Sequence, residues 1–257
     1  MEIPRKTWNR YIKLLRNIND TAALALERWV FDVFGDGLID VDTRDKDGNN
    51  IIDYAYMITA EYGNASAAVS AEIVEAMAEL AGVAIPPAEL APNPTYGEVA
   101  KTVQGVLKTS QNREEITSAV GRLVKQTGAR TTRMNARRDN AQFAWVPSGD
   151  TCAFCIALAS RGWQNARKAD HKDHIHSNCD CAYAIRYSPR ENIAGYNPDE
   201  YYQEYKDADG GTPNEKINAM RRKYYAENRE EILAQKADAY AKRQELNSSQ
   251  AVETDIN

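Results

Sequence analysis

Apolar residues recur every three or four positions along most of the chain, the period of helices with one buried face. Residues 8–34 read as two helices. Asp20 is placed to cap the second, whose stripe of Leu24, Leu26, Trp29, Val30, Phe31 and Phe34 ends at Gly35 and Gly37. Residues 36–50 are polar and read as turns. Asp45-Lys46-Asp47-Gly48-Asn49 has some features of a calcium loop, but Thr43 stands at the first ligand position and no glutamate at the twelfth. Asp-Gly and Asn-Asn are ordinary turn formers, so a turn is expected there. Helical spacing returns from about Ile51 to Leu80 on Val69, Ile73, Met77 and Leu80, with Gly63-Asn64 as a place to bend or break. Four prolines between Ile85 and Pro94 exclude regular helix and predict a linker.

A second helical group follows: Tyr96–Lys108, then Arg113–Lys125 with Ser110 near its start. Gly128 punctuates, and helix resumes over about Arg130–Phe143. From Ala182 to Tyr187 the pattern alternates and predicts a strand. Beyond Pro189 the chain is polar and tyrosine-rich. Thr212-Pro213 marks a helix start, with the cap followed by proline at the first helical position. Asn228-Arg229-Glu230-Glu231 resembles a capping box and opens a last helix through about Gln244, and Asn247–Asn257 is expected to be disordered. The fold class is therefore mainly α. The expected division is an N-terminal helical domain over 1–84, a Pro-rich linker over 85–95 and a helical region with a basic face over 96–143. A small metal-stapled α+β module over 144–188 and a polar helical tail over 189–257 complete it.

The composition, 43% apolar and 27% charged, is that of a globular protein, while the mean hydropathy of -0.62 calls for much exposed helix. A net charge of -5 argues against a dedicated nucleic-acid binder. Locally the balance reverses: Arg122, Lys125, Arg130, Arg133, Arg137 and Arg138 face a single Asp139, and Arg130, Arg133 and Arg137 share one helical side. Such a face is either solvated or turned to an acidic partner, DNA or protein. No apolar run is long enough to span a membrane. Met1-Glu2-Ile3-Pro4 lacks a signal or lipidation pattern, so a reducing cytoplasm is expected, where cysteines beside histidines favour metal over disulfide.

All four cysteines and all three histidines lie between Cys152 and Cys181. The spacing is C-x2-C, a loop, then H-x2-C-x-C. Two close pairs of soft ligands across a loop suit tetrahedral Zn(II), and thiolate-rich closed sites are structural rather than catalytic. The candidate ligands are Cys152, Cys155, His176, Cys179 and Cys181, one more than a tetrahedral site needs. Cys179 and Cys181 would both face the ion if that stretch is extended, since residues two apart share one side of a strand. His171 and His174 sit in a charged stretch that reads as a solvated loop.

From Arg130 to Tyr187 the chain resembles phage minor head proteins of the Mu-F-like head morphogenesis family. The resemblance rests on the order of a helix with Arg130-Thr-Thr-Arg133, the lead Trp145-Val-Pro-Ser-Gly-Asp150-Thr-Cys152-x-x-Cys155, and the ending Ile175-His176-Ser-Asn178-Cys179-Asp180-Cys181. The N-terminal helices and the stretch around Tyr62-Gly-Asn-Ala-Ser66 are similar to minor capsid proteins of tailed phages and prophages. Ser177 and Asp180 stand where the family motif has proline and arginine. The resemblance implies a low-copy structural protein of the virion head, made in the host cytoplasm and assembled with portal, major capsid or scaffold proteins. Its zinc would be a structural staple, and Arg130, Arg133 and Arg137 a face for partners or packaged DNA. An enzyme is not expected. The alternatives are a zinc-stabilised nuclease of the His-Asn-His type, suggested by Asp173-His174-Ile175-His176 and Asn178, or another zinc-dependent interaction module. No histidine follows His176, and no glutamate stands two residues after any histidine, as a zinc deaminase requires.

Overall fold

From Arg5 to Phe34 the sequence contains neither proline nor glycine. A computed structural model describes residues 2–35, 37–110, 112–148, 151–168, 179, 181–234, 237, 238 and 241. A two-residue strand β1 (Glu2–Ile3) leads into helix α1 (Arg5–Phe34), which runs unbroken until Gly35 turns it off at a positive φ of 54°. The sequence predicts a second helix start at Asp20. Nothing there interrupts the backbone hydrogen-bond ladder, so a residue that could cap is instead exposed mid-helix.

The turn region ahead of the next helix is organised by Asp45, whose carboxylate accepts the amides of Asp47 and Asn49 and the indole N–H of Trp29. Asn50 and Asp53 then form a reciprocal capping box for α2 (Ile51–Ala81). Gly63 does not break this helix. It lies where a Cβ would collide with the Asn93 side chain and stand 3.2 Å from Thr127 Oγ1. A second capping box, Thr95 and Glu98, opens α3 (Tyr96–Thr109), and Asn112 caps α4 (Arg113–Arg138).

Helix α4 passes straight through Gly128, where the sequence predicts a break. A Cβ at 128 would overlap Ser66 Oγ and come within 2.7 Å of Ser70 Oγ. Glycine here admits a close approach of α2 and α4, and tertiary packing outweighs its low helix propensity. The helix ends earlier than the sequence predicts. Asn140 takes a positive φ of 54°, and the Ala141 amide reaches back to the Ala136 carbonyl, a six-residue closure that stops the helix. Residues 142 and 143, expected to be helical, therefore open strand β2 (Gln142–Val146).

The short helix α5 (Ala153–Ala159), strands β3 (Gln164–Asn165), β4 (Ala182–Arg186) and β5 (Asn192–Ile193), and helices α6 (Pro198–Asp207) and α7 (Pro213–Glu227) complete the order. Residues 229–234 are helical as well. The fold is mainly α. β2 is central in an antiparallel sheet of order β3-β2-β4, with Trp145 opposite Tyr183 and Val146 opposite Ala182. β1 pairs in parallel with β5, Ile3 beside Ile193, so the start of the chain is tied to the segment after the sheet.

Two main cores follow. One is helical, built from residues such as Leu26, Val30, Ile51, Val99, Ile116 and Val124. The other joins Trp8 of α1 and Val74 and Met77 of α2 to Phe143, Val146, Ile185 and three cysteines. A smaller cluster of Ala153, Ile156 and Met220 docks α7 on α5. The Pro-rich segment lies along α4. Asn135 donates to and accepts from the Glu89 backbone, Thr131 Oγ1 accepts the Ala91 amide, and Arg138 donates to the carbonyls of Pro86 and Pro87. Side chains thus satisfy a backbone that proline bars from regular structure.

Candidate metal centre

Strand β2 feeds through residues 147–152 into α5, and β4 begins at Ala182 opposite Val146. The pairing carries the chain just before β4 back to the entry of α5. Cys152 is the residue capping α5 in extended conformation, Cys155 is the third residue of that helix, and Cys181 immediately precedes β4. The sulfurs of Cys152, Cys155 and Cys179 all lie within 4.8 Å of one another. Cys179 Sγ is 3.0 Å from Cys155 Sγ and 2.9 Å from Cys181 Sγ. All four cysteines are free thiols. Cys155, Cys179 and Cys181 are buried and Cys152 is half-buried.

His176 lies outside the described residues, as do His171, His174 and Asp180. Of the predicted ligands, then, the structure brings the four cysteines to one place.

The donor chemistry fits a soft metal. A tetrahedral ion with bonds of about 2.3 Å sets its sulfurs about 3.8 Å apart, so binding would spread the closest pairs by less than about 1 Å. Separations of 2.9 and 3.0 Å are well beyond the length of about 2.05 Å for an S–S bond. Cys181 accepts hydrogen bonds from the Cys155 and Cys179 thiols and the Ser148 amide, which draws its pKa down to about 4 against the burial that opposes ionisation. Cys155 is pushed up by its hydrogen bonds to Cys152, Cys179 and Cys181, and by burial.

A pH dependence follows. A thiolate with a depressed pKa contributes stability that is present above the unfolded value, about 8.5, and fades as pH falls toward about 4. Metal-free protein is therefore expected to lose stability steadily between those limits. Cys181→Ala should flatten that slope between about pH 5 and 8, where carboxylates do not titrate, as read from urea midpoints across the range.

Two supporting contacts had no signal in the sequence. Lys125 of α4 donates from Nζ to the Cys179 carbonyl at 2.8 Å, across 54 positions. Under the site, Tyr183 meets Trp145 and Phe143 edge-on, with ring centroids 4.8 and 5.3 Å apart. Arg133, expected on an open basic face, instead lies over these rings, 5.8 Å from Tyr183 and 6.0 Å from Phe143. Arg137 is exposed, and Arg130 stands 3.9 Å from Glu98.

A family model described as VG15 protein matches residues 2–208. The chain belongs to the VG15 protein family. This is a viral protein family. No curated protein and no solved structure matches the chain. The region shared with VG15 proteins takes in α1 to α6 and all four cysteines, while α7 lies beyond it. No helix among the described residues of this VG15 protein is long and apolar enough to cross a membrane.

Proposed function

We propose that this VG15 protein is a structural minor head protein of a tailed phage or prophage, acting in head assembly near the portal and stapled by a structural Zn(II). The observation that carries the reading is the convergence of four free cysteines inside a chain of a viral family. The cluster joins the entry of α5 to the entry of β4 and lies in the core shared with α1 and α2. A thiolate-rich site buried against a hydrophobic core holds structure; it does not leave a position open for water. The role is therefore non-catalytic. Cys152, Cys155, Cys179 and Cys181 supply four ligands, and His176 would be an alternative fourth.

The partners proposed are portal, major capsid or scaffold proteins, within the virion and, during assembly, in the host cytoplasm. Packaged DNA would be met through Arg130, Arg133 and Arg137. Arg137 is the most open of the three, because Arg133 already packs on aromatic rings.

The test is elemental analysis of protein purified without chelator, together with co-sedimentation with portal protein from the same phage. One zinc per chain and a portal-bound fraction are expected. Protein that carries no metal and does not sediment with portal, capsid or scaffold would sink the reading.

A further inference from the structure

Beside the cysteine cluster, on the outer side of α5, an open groove of about 600 Å³ runs between the entry of α5 and α7. Thr151, Cys152 and Ala153 form one wall. The other carries Arg221, Arg222, Tyr224 and Tyr225 of α7, with Asn218 one turn earlier. The volume lies within the range of pockets that hold organic ligands, roughly 300–1,000 Å³.

Three features define what it takes. Among the described residues no carboxylate lines it, although the chain carries a net charge of -5. Arg221 and Arg222 are exposed, and neither enters an ion pair among the described residues. Tyr224 and Tyr225 are each 45% exposed, so ring surface is left uncovered next to those charges. Two cations and two open aromatic rings in one groove match a ligand with an anionic backbone and flat faces. We propose that this groove binds an unpaired strand of nucleic acid, with phosphates on Arg221 and Arg222 and a base against Tyr225 or Tyr224. In a duplex the base faces are stacked away, which leaves the tyrosines nothing to cover. An acidic peptide would answer the arginines alone.

One wall of the groove lies outside the region matched by the family model. The family match ends at residue 208, and α7 begins at Pro213. Its wall is docked by Met220 and Ile217 against α5 and by Lys216, whose Nζ donates to the carbonyls of Lys206 and Ala208, while Arg221, Arg222, Tyr224 and Tyr225 stay exposed. The inference makes no use of Arg130, Arg133 or Arg137, through which the head-protein reading would meet DNA.

The experiment is fluorescence anisotropy of the full chain with a labelled oligothymidylate of about 15 nucleotides, titrated at salt from about 50 to 200 mM. Wild type is expected to bind with a salt-dependent affinity. The double variant Arg221→Gln, Arg222→Gln should bind about tenfold or more weakly and lower the salt slope by about 1.4, the share of two phosphate contacts on a single strand. Tyr225→Ala should weaken binding about fivefold or more at an unchanged slope. Lys101→Gln with Lys108→Gln, both exposed on α3, should alter neither. All the altered side chains are exposed or half-exposed, and a melting curve of each variant checks that it is folded. The inference is overturned by oligothymidylate binding that is absent or independent of salt, or by a double variant that binds as well as wild type. A polyglutamate peptide held more tightly than the oligonucleotide also overturns it and gives the groove to an acidic protein segment.

Discussion

Replacing Cys155 by alanine should release the metal and lower the stability of the protein by about 3–5 kcal/mol. Cys155 is fully buried, and its sulfur stands 3.0 Å from that of Cys179. Its neighbours in the core include Val146, Ala159 and Ile185. Apart from the metal, cutting back one buried sulfur leaves a small cavity worth about 1–2 kcal/mol. The larger share would come from the proposed ion, which would tie α5 to the lead of β4 only while its ligand set is complete. The measurement is a urea midpoint for wild type and variant, each with and without a strong zinc chelator. Chelator should move the wild type close to the variant and leave the variant where it is. A wild type that ignores the chelator, with a variant only about 1 kcal/mol weaker, would leave the cysteines as ordinary core residues.

Gly128→Val should destabilise by about 3 kcal/mol or more without touching the metal. Even the first carbon of a side chain would overlap Ser66 Oγ, approach Ser70 Oγ to 2.7 Å and stand 3.0 Å from the Ser66 carbonyl. The last is backbone and cannot rotate aside. Valine adds two methyl groups to this contact, and relief requires parting α2 from α4, which also meet at Gly63, where a Cβ would stand 3.2 Å from Thr127 Oγ1. Gly128→Ala isolates the close approach. It should cost about 1–3 kcal/mol, and combining it with Ser66→Ala and Ser70→Ala should recover part of that, since two of the three contacts are hydroxyls. Elemental analysis of the folded fraction should still find the ion. Full stability of Gly128→Val would mean that the two helices have room to separate.

Position 128 also illustrates which parts of the fold could be read locally. In a sequence, glycine inside a helical pattern predicts a break; here it is the point where another helix presses closest. The same holds at Gly63, against Asn93 and Thr127. At Asp20 the error is of the same kind, since a side chain able to cap a helix does so only where the backbone is already leaving it. The helix ends at Arg138, short of its periodic pattern, because Asn140 takes a left-handed position for which asparagine is a weaker signal than glycine. By contrast, the starts at Thr95 and Thr212 and the strand from Ala182 are where the residues place them. At the two helix starts the deciding contacts are only three positions away, and in the strand the alternation is visible residue by residue.

What the sequence determined by itself about this protein is its class and the identity of its reactive groups. Helical periodicity makes it mainly α, because amphipathic spacing acts through neighbours along one helix. Crowding every cysteine between 152 and 181 marks one place for soft chemistry, because only proximity in the chain is needed to see it. The tertiary structure alone decided the rest. Pairing of Val146 with Ala182 brings Cys179 and Cys181 back to Cys152 and Cys155. Lys125 reaches Cys179 across 54 positions, and Arg133 leaves the basic face for the rings of Phe143 and Tyr183. Docking α7 on α5 creates a groove that neither helix has alone. These contacts join residues far apart in the chain, and their energy depends on distances that no local pattern of residues encodes.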